Sequence, residues 1–80
     1  MRLDKYLKVS RLIKRREAAK EFIEKGFVRL NGKIAKPANE VKIDDIIDIA
    51  SPFGQTIKAK VLQIRNVSTI KDASEMYEVL

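Results

Sequence analysis

The stretch Phe27-Val-Arg-Leu-Asn-Gly-Lys-Ile-Ala35 carries the strongest local structural signal in the chain. Its Asn31-Gly32 pair suits the two positive φ angles of a type I′ turn, and short apolar segments flank that pair. We therefore predict a tight two-residue β-hairpin. In its register, Leu30 faces Lys33, Arg29 faces Ile34 and Val28 faces Ala35. Pro37 then ends regular pairing, because proline has no amide hydrogen to donate.

Two amphipathic helices precede the hairpin. Over residues 2–10, a spacing of 100° per residue puts four side chains on one inward arc: Leu3, Tyr6, Leu7 and Ser10. A second helix over residues 16–25 places four other side chains inward: Ala18, Ala19, Phe22 and Ile23. Gly26 ends this helix. Its outer side carries Glu17, Glu21 and Glu24. We interpret this acidic side as a solvated helix face rather than a binding site.

The residues after the hairpin predict further strands. Residues 46–50 are rich in β-branched side chains, which favours a strand, and residues 51–54 predict a turn. Apolar and polar side chains alternate over residues 55–65, and this alternation shifts phase at Leu62, as a bulge or bend would produce. A short helix up to about Met76 follows, capped by Ser68 or Thr69, while residues 77–80 fit either helix or strand. The expected fold class is α+β: two packed N-terminal helices followed by a small twisted antiparallel sheet, in a single domain over residues 1–80.

The amino-acid composition excludes most kinds of catalytic site. The chain has no cysteine and no histidine, so it offers no disulfide, thiol nucleophile, Cys/His zinc site or imidazole base. The best remaining acids, Asp44 and Asp45 with Asp48 nearby, sit at a turn, and we interpret them as turn residues. We therefore expect no catalytic residue, no metal and no cofactor. The charged N-terminus and the lack of a long apolar run predict a cytoplasmic protein without a membrane span.

Positive charge is concentrated in the first half of the chain. The net charge is +6, and residues 1–36 hold twelve Lys/Arg against four Asp/Glu, while residues 37–80 hold five against seven. With a sequence pI near 9.8, this distribution predicts a nucleic-acid-binding surface. Ten cations with few acids nearby are the candidate contacts: Arg2, Lys5, Lys8, Arg11, Lys14, Arg15, Arg16, Arg29, Lys33 and Lys36.

Other interpretations of the basic residues remain open. They could form a solvated surface or attract an anionic membrane, although the apolar arc of the first helix is needed for the core of so small a chain. Binding of duplex DNA by a helix-turn-helix is disfavoured, because the second helix would present three glutamates to the groove. Tyr6 and Phe27 could stack on bases, but their spacing is more typical of core residues.

Several segments in order resemble the S4-type RNA-binding domain. They are Arg2-Leu-Asp-Lys-Tyr-Leu7, Arg15-Arg-Glu-Ala-Ala-Lys-Glu-Phe-Ile-Glu-Lys-Gly26, Val28-Arg-Leu-Asn-Gly-Lys33, Pro37 and Val41-Lys-Ile-Asp-Asp-Ile-Ile47. The resemblance covers about residues 1–50 and implies a fold of two helices, a hairpin and a small sheet. By motif position it implies that Arg2 and Arg16 lead the RNA contacts. Many members have Ser or Thr where Arg15 stands and Gly where Asp44 stands.

The whole chain is similar to the S4-type proteins of bacterial ribosome-associated quality control. That resemblance implies binding to obstructed large ribosomal subunits, with contacts to large-subunit rRNA and P-site peptidyl-tRNA. It also implies support of alanine tailing together with the protein that recruits alanyl-tRNA. We expect the chain to be a monomer. A general structured-RNA binder, a ribosome-assembly factor and a protein-interaction module remain alternatives. An RNA-modifying enzyme would need a catalytic domain beyond these residues.

Overall fold

The computed structural model of the chain describes residues 1–50, 54–66 and 69–80, which form two N-terminal helices, an antiparallel sheet and a third short helix. The elements in order are α1 (Leu3–Val9), α2 (Arg16–Glu24), β1 (Val28–Leu30), β2 (Lys33–Ile34), β3 (Ile46–Ala50), β4 (Thr56–Val61), α3 (Ile70–Ser74) and β5 (Tyr77–Val79). The five strands follow the order β2-β1-β3-β4-β5, and every neighbouring pair is antiparallel. The α+β fold class is confirmed.

The hairpin formed by β1 and β2 has the predicted turn and register. Asn31 and Gly32 have φ angles of 53° and 83°, so both turn residues lie in the left-handed region that a type I′ turn requires. Leu30 pairs with Lys33 and Arg29 with Ile34. The strand β2 ends at Ile34, before Pro37. This hairpin joins the rest of the sheet through β1, which pairs with β3.

The strand β4 is shorter than the sequence predicted. It ends at Val61, so the prediction of a bent or bulged strand reaching Arg65 is wrong. The amides of Leu62 and Gln63 both donate to the carbonyl oxygen of Met76, at 2.8 and 3.1 Å. Because two successive amides share one acceptor, the chain leaves the regular ladder here. The shift in hydrophobic phase at Leu62 therefore marks the end of a strand.

The C-terminal segment contains both structures that its sequence allowed. Thr69 caps α3, since its hydroxyl accepts from the amide of Asp72 at 3.1 Å. The helix ends at Ser74, two residues before the predicted end at Met76, and residues 77–79 then form β5 against β4. The alternative cap, Ser68, and residues 51–53 of the predicted turn lie outside the described residues.

The core lies between the helices and one face of the sheet. It is a single cluster whose fully buried members include Leu3, Tyr6, Leu7, Ile23, Val28, Ile47, Val61 and Met76. All four residues of the predicted inward arc of α1 are buried. Tyr6 belongs to this core, as predicted, and its hydroxyl donates to the carbonyl oxygen of Met76 at 2.8 Å. Burial, followed by the nearby Tyr77, raises the pKa of the Tyr6 phenol above its ordinary value.

Changing Tyr6 to phenylalanine is expected to lower the free energy of unfolding by about 1 kcal/mol. The variant keeps the buried ring and removes one hydrogen bond, while the Met76 carbonyl keeps its two amide donors. Chemical denaturation measures the change. Tyr77→Phe is the matched control, because no hydrogen bond of its hydroxyl occurs within the described ranges. Equal unfolding free energies for the two variants would contradict a role for the Tyr6 hydroxyl.

Candidate nucleic-acid interface

Backbone hydrogen bonds fix Arg2 at the point where α1 meets the segment after the hairpin. Residues 1–4 run beside residues 37–41, with Leu3 N donating to Asn39 O at 2.8 Å and Asp4 N to Pro37 O at 3.2 Å. Arg2 itself forms an isolated antiparallel bridge with Glu40. It is also the N-cap residue of α1. The start of the first helix is therefore anchored to the loop that follows β2.

A buried carboxylate brings together the two arginines that the S4 resemblance singled out. Asp4 Oδ2 lies 3.2 Å from Arg2 Nη2, and Asp4 Oδ1 lies 3.5 Å from Arg16 Nη2. The Asp4 side chain is 3% exposed, whereas those of Arg2 and Arg16 are 50% and 48% exposed. Asp4 Oδ1 also accepts from the amide of Lys5 at 2.7 Å. The expectation that the candidate cations have few acids nearby is therefore wrong for Arg2 and Arg16.

These side chains line an open concavity of about 330 Å³, which we call the helix-junction concavity. Its lining residues are Arg2, Asp4, Arg16, Glu17 and Lys20. Lys20 was not among the predicted contacts. It follows Arg16 by four residues on the same helix, and that spacing puts both cations on one face. The spacing is the sequence signal that could have identified it.

Lys33 and Lys36 lie in a second concavity, of about 460 Å³, which we call the hairpin concavity. It is lined by Leu30, Asn31, Lys33, Ile34, Lys36, Asn39 and Glu40. Asn39 shapes its edge, because its side-chain oxygen accepts from the amide of Lys36 at 2.7 Å. Glu40 lines this concavity and its backbone bridges Arg2, which lines the other. The backbone bridge between Arg2 and Glu40 therefore links one lining residue of each concavity.

Arg29 faces away from the helices. In β1, Val28 is buried and Leu30 packs against the core, and successive side chains of a strand point to opposite sides of the sheet. Arg29 therefore lies on the outer face, where it lines a groove together with Asp48 and Lys58. Asp48 is in turn 4.0 Å from the ammonium group of Lys58. The expectation that the hairpin cations share one surface with those of the helices is wrong for Arg29.

The other predicted contacts lie on α1 and the connection to α2. Lys5 is half-buried next to Asp4, and four further side chains are exposed: Lys8, Arg11, Lys14 and Arg15. Arg11 follows the C-cap of α1 with a φ of 62°. Arg15 is the N-cap of α2 and its side chain makes no capping hydrogen bond. None of these four exposed side chains lines either concavity.

The candidate acids Asp44 and Asp45 serve the turn before β3. Asp45 accepts from the side-chain amide of Asn31 at 3.0 Å and from the backbone amide of Lys42 at 2.8 Å. Asp44 has a φ of 75° and lies 3.7 Å from the ammonium group of Lys60.

Within the described residues, no group of three or more His, Cys, Asp or Glu side chains is placed to hold a metal ion. No helix in the described part of the chain could cross a membrane.

Changing Arg15 to serine is expected to raise the free energy of unfolding by about 1 kcal/mol relative to Arg15→Ala. A serine hydroxyl at the N-cap can accept a hydrogen bond from an amide of the first turn of α2, which the arginine does not provide. Both variants lose the same charge, so their difference isolates capping. Chemical denaturation of the two variants measures it. Identical stabilities would show that this helix gains nothing from a side-chain cap.

Comparison with known proteins places the chain in a family. Residues 1–47 match the family described as S4 domain, so the chain belongs to the S4 domain family. A relative from Streptococcus pneumoniae called RQC P-site tRNA stabilizing factor is 46% identical over all of this chain and 90% of its own length. A relative of the same name from Listeria innocua is 48% identical over all of this chain and 86% of its own length.

A solved structure agrees with this assignment. Heat Shock Protein 15 from Vibrio cholerae, described as trimeric, superposes with a TM-score of 0.91 at 28% identity, covering all of this chain and 81% of its own. Its likeness extends beyond the matched family region, since it includes β4, α3 and β5 as well as residues 1–47. The S4-type fold expected from the sequence is therefore confirmed.

Proposed function

We propose that this chain is a non-catalytic RNA-binding factor of ribosome-associated quality control that stabilises P-site tRNA on the large ribosomal subunit. The observation that carries the proposal is that Asp4 contacts both Arg2 and Arg16, whose half-exposed side chains line one concavity. The chain that contains this arrangement is 46% identical over its full length to an RQC P-site tRNA stabilizing factor. Guanidinium groups form planar paired hydrogen bonds with phosphate oxygens. Two of them fixed side by side suit an RNA backbone.

The second set of cations supports contact with two RNA elements. Lys33 and Lys36 lie in the hairpin concavity, and the helix-junction concavity carries Arg2, Arg16 and Lys20. Phosphate contacts of this kind fix the orientation of an RNA without reading its sequence. We propose that one set of cations binds large-subunit rRNA and the other binds peptidyl-tRNA. The chain would then act as a rigid bridge that holds the two RNAs in their relative position.

In this proposal the protein works in the cytoplasm as a monomer and needs no cofactor. By holding the peptidyl-tRNA in place, it would support addition of alanine to the stalled chain by the protein that recruits alanyl-tRNA. The support of alanine addition follows from the resemblance of the sequence, whereas the names of the relatives and the charge concentrated in residues 1–36 support the association with tRNA. Of the ten predicted contacts, Arg29 has the least support, because it lies on the outer face of the sheet.

Sucrose-gradient sedimentation of the tagged protein tests the proposal, followed by sequencing of the bound RNA and analysis of attached nascent chains. We expect co-sedimentation with large subunits that carry peptidyl-tRNA, and enrichment of nascent chains with C-terminal alanine. Equal recovery of many structured RNAs would instead indicate a general RNA binder. Recovery of assembly precursors without tRNA would indicate an assembly factor. Retention of a protein partner after nuclease treatment in high salt would indicate an interaction module.

A further inference from the structure

We infer that Asp4 is a positioning residue that determines which RNA the helix-junction concavity binds. The inference rests on the proposed function, since it takes Arg2 and Arg16 as RNA contacts. An acid inside a basic surface would ordinarily weaken binding of a polyanion through charge repulsion. Asp4 is expected to do the opposite for a correctly shaped RNA, because it fixes the two guanidinium groups that bind the phosphates.

The contacts of Asp4 explain how it can fix both arginines. One carboxylate oxygen binds Arg2, and the other binds Arg16 and the amide of Lys5. A carboxylate buried to this extent is stable only with such partners, so the pairs hold together. Each guanidinium has five N–H donors, and the contact with Asp4 leaves several of them available. The half-exposed side chains can therefore offer those donors to phosphates.

Pre-ordering of this kind favours a matched ligand. A free arginine side chain loses rotamer entropy when a ligand immobilises it. Asp4 holds Arg2 and Arg16 before RNA arrives, so less ordering is left to binding. Only an RNA whose phosphates match the positions of the two guanidinium groups gains affinity from this pre-ordering. A flexible single strand adapts to mobile arginines as well, and for it the negative charge of Asp4 is only unfavourable.

Glu17 provides a matched control within the same concavity. It lines the helix-junction concavity and is exposed, and no ion pair involves it in the ranges that the structure describes. Replacing Asp4 or Glu17 by the corresponding amide removes one negative charge from the same place. The two positions differ in that Asp4 is buried and contacts Arg2 and Arg16, whereas Glu17 is exposed and contacts neither.

The experiment compares Asp4→Asn and Glu17→Gln for binding to two RNAs by fluorescence anisotropy. One is the large ribosomal subunit with P-site tRNA, and the other is an oligouridine strand. We expect Asp4→Asn to weaken subunit binding about 10-fold and to strengthen oligouridine binding about 2-fold. Glu17→Gln is expected to strengthen both. Strengthening of both by Asp4→Asn as well would overturn the inference.

Failure of the proposed function gives a different pattern. In that case the wild-type chain shows no preference for the subunit over oligouridine, whatever the variants do. Circular dichroism checks that Asp4→Asn is folded.

A measurement on the wild-type chain keeps the inference testable if the variant unfolds. We expect NMR relaxation to show restricted guanidinium motion for Arg2 and Arg16 compared with Arg15. Equal mobility of all three would overturn it.

Discussion

Replacing Arg16 with alanine is expected to weaken binding to the large ribosomal subunit by about 10- to 100-fold. A hydrogen bond to a charged group contributes about 1.5 to 3 kcal/mol, and each 1.4 kcal/mol changes affinity tenfold. Arg16 is half-exposed at the first position of α2, and Asp4 keeps its contact with Arg2 when Arg16 is lost. The chain should therefore remain folded, and the loss should appear in binding alone.

Lys25→Ala is the matched control for Arg16→Ala. Lys25 is the C-cap residue of the same helix, and its side chain is 62% exposed and lies 3.8 Å from Glu21. The Lys25→Ala substitution removes one positive charge, as Arg16→Ala does, but at the other end of α2 and away from the helix-junction concavity. Co-sedimentation with large subunits at several protein concentrations measures both variants. Unchanged binding of Arg16→Ala would remove Arg16 from the site, and equal losses would point to net charge rather than position.

Binding to the subunit is expected to fall steeply with salt concentration. If about 5 to 7 phosphates are neutralised, log K should fall by roughly 4 to 6 for each tenfold increase in salt. The cations available for these contacts include Arg2, Arg16 and Lys20 in one concavity and Lys33 and Lys36 in the other. Between 50 and 200 mM salt, the affinity would then drop by a few hundred-fold to a few thousand-fold.

Anisotropy titrations across this range of salt measure the slope. The Arg2→Ala/Arg16→Ala double variant should have a slope smaller by about 2, because two phosphate contacts are lost. A nearly flat dependence in the wild-type chain would show that uncharged or protein–protein contacts dominate. A double variant with an unchanged slope would place the phosphate contacts elsewhere on the molecule.

The hairpin and the first two helices could be predicted because short-range rules decide them. Asn31 and Gly32 adopt the turn that their own backbone preferences favour, and the buried residues of α1 repeat at the helical period. The end of β4 could not be predicted in this way. It depends on the carbonyl oxygen of Met76, which accepts the amides of Leu62 and Gln63 from fourteen and thirteen residues away in the chain.

The candidate site was only partly predictable for a similar reason. A count of charges identifies Arg2 and Arg16 as cations, but it does not show that Asp4 is buried between them. It also cannot assign Arg29 to a face of the sheet, since that depends on which neighbours of Arg29 pack against the core. Charge along a sequence therefore predicts that a surface is basic. Burial and strand alternation determine which cations share it.

One of the two departures from the S4 pattern has a direct structural explanation. The S4 resemblance implies glycine at the position of Asp44, and Asp44 has a φ of 75°, a left-handed conformation that glycine adopts without strain. Aspartate tolerates this conformation better than most residues. Asp44 therefore adopts a turn conformation that suits glycine, next to an Asp45 that binds Asn31 and Lys42.

Ultraviolet crosslinking on purified large subunits carrying P-site tRNA, read out by mass spectrometry, tests most directly whether the helix junction binds RNA. We expect RNA adducts within residues 2–5 and 16–20, which line or adjoin the helix-junction concavity, and their loss in the Arg2→Ala/Arg16→Ala variant. Adducts confined to the outer face of the sheet, around Arg29 and Lys58, would contradict RNA binding by that concavity.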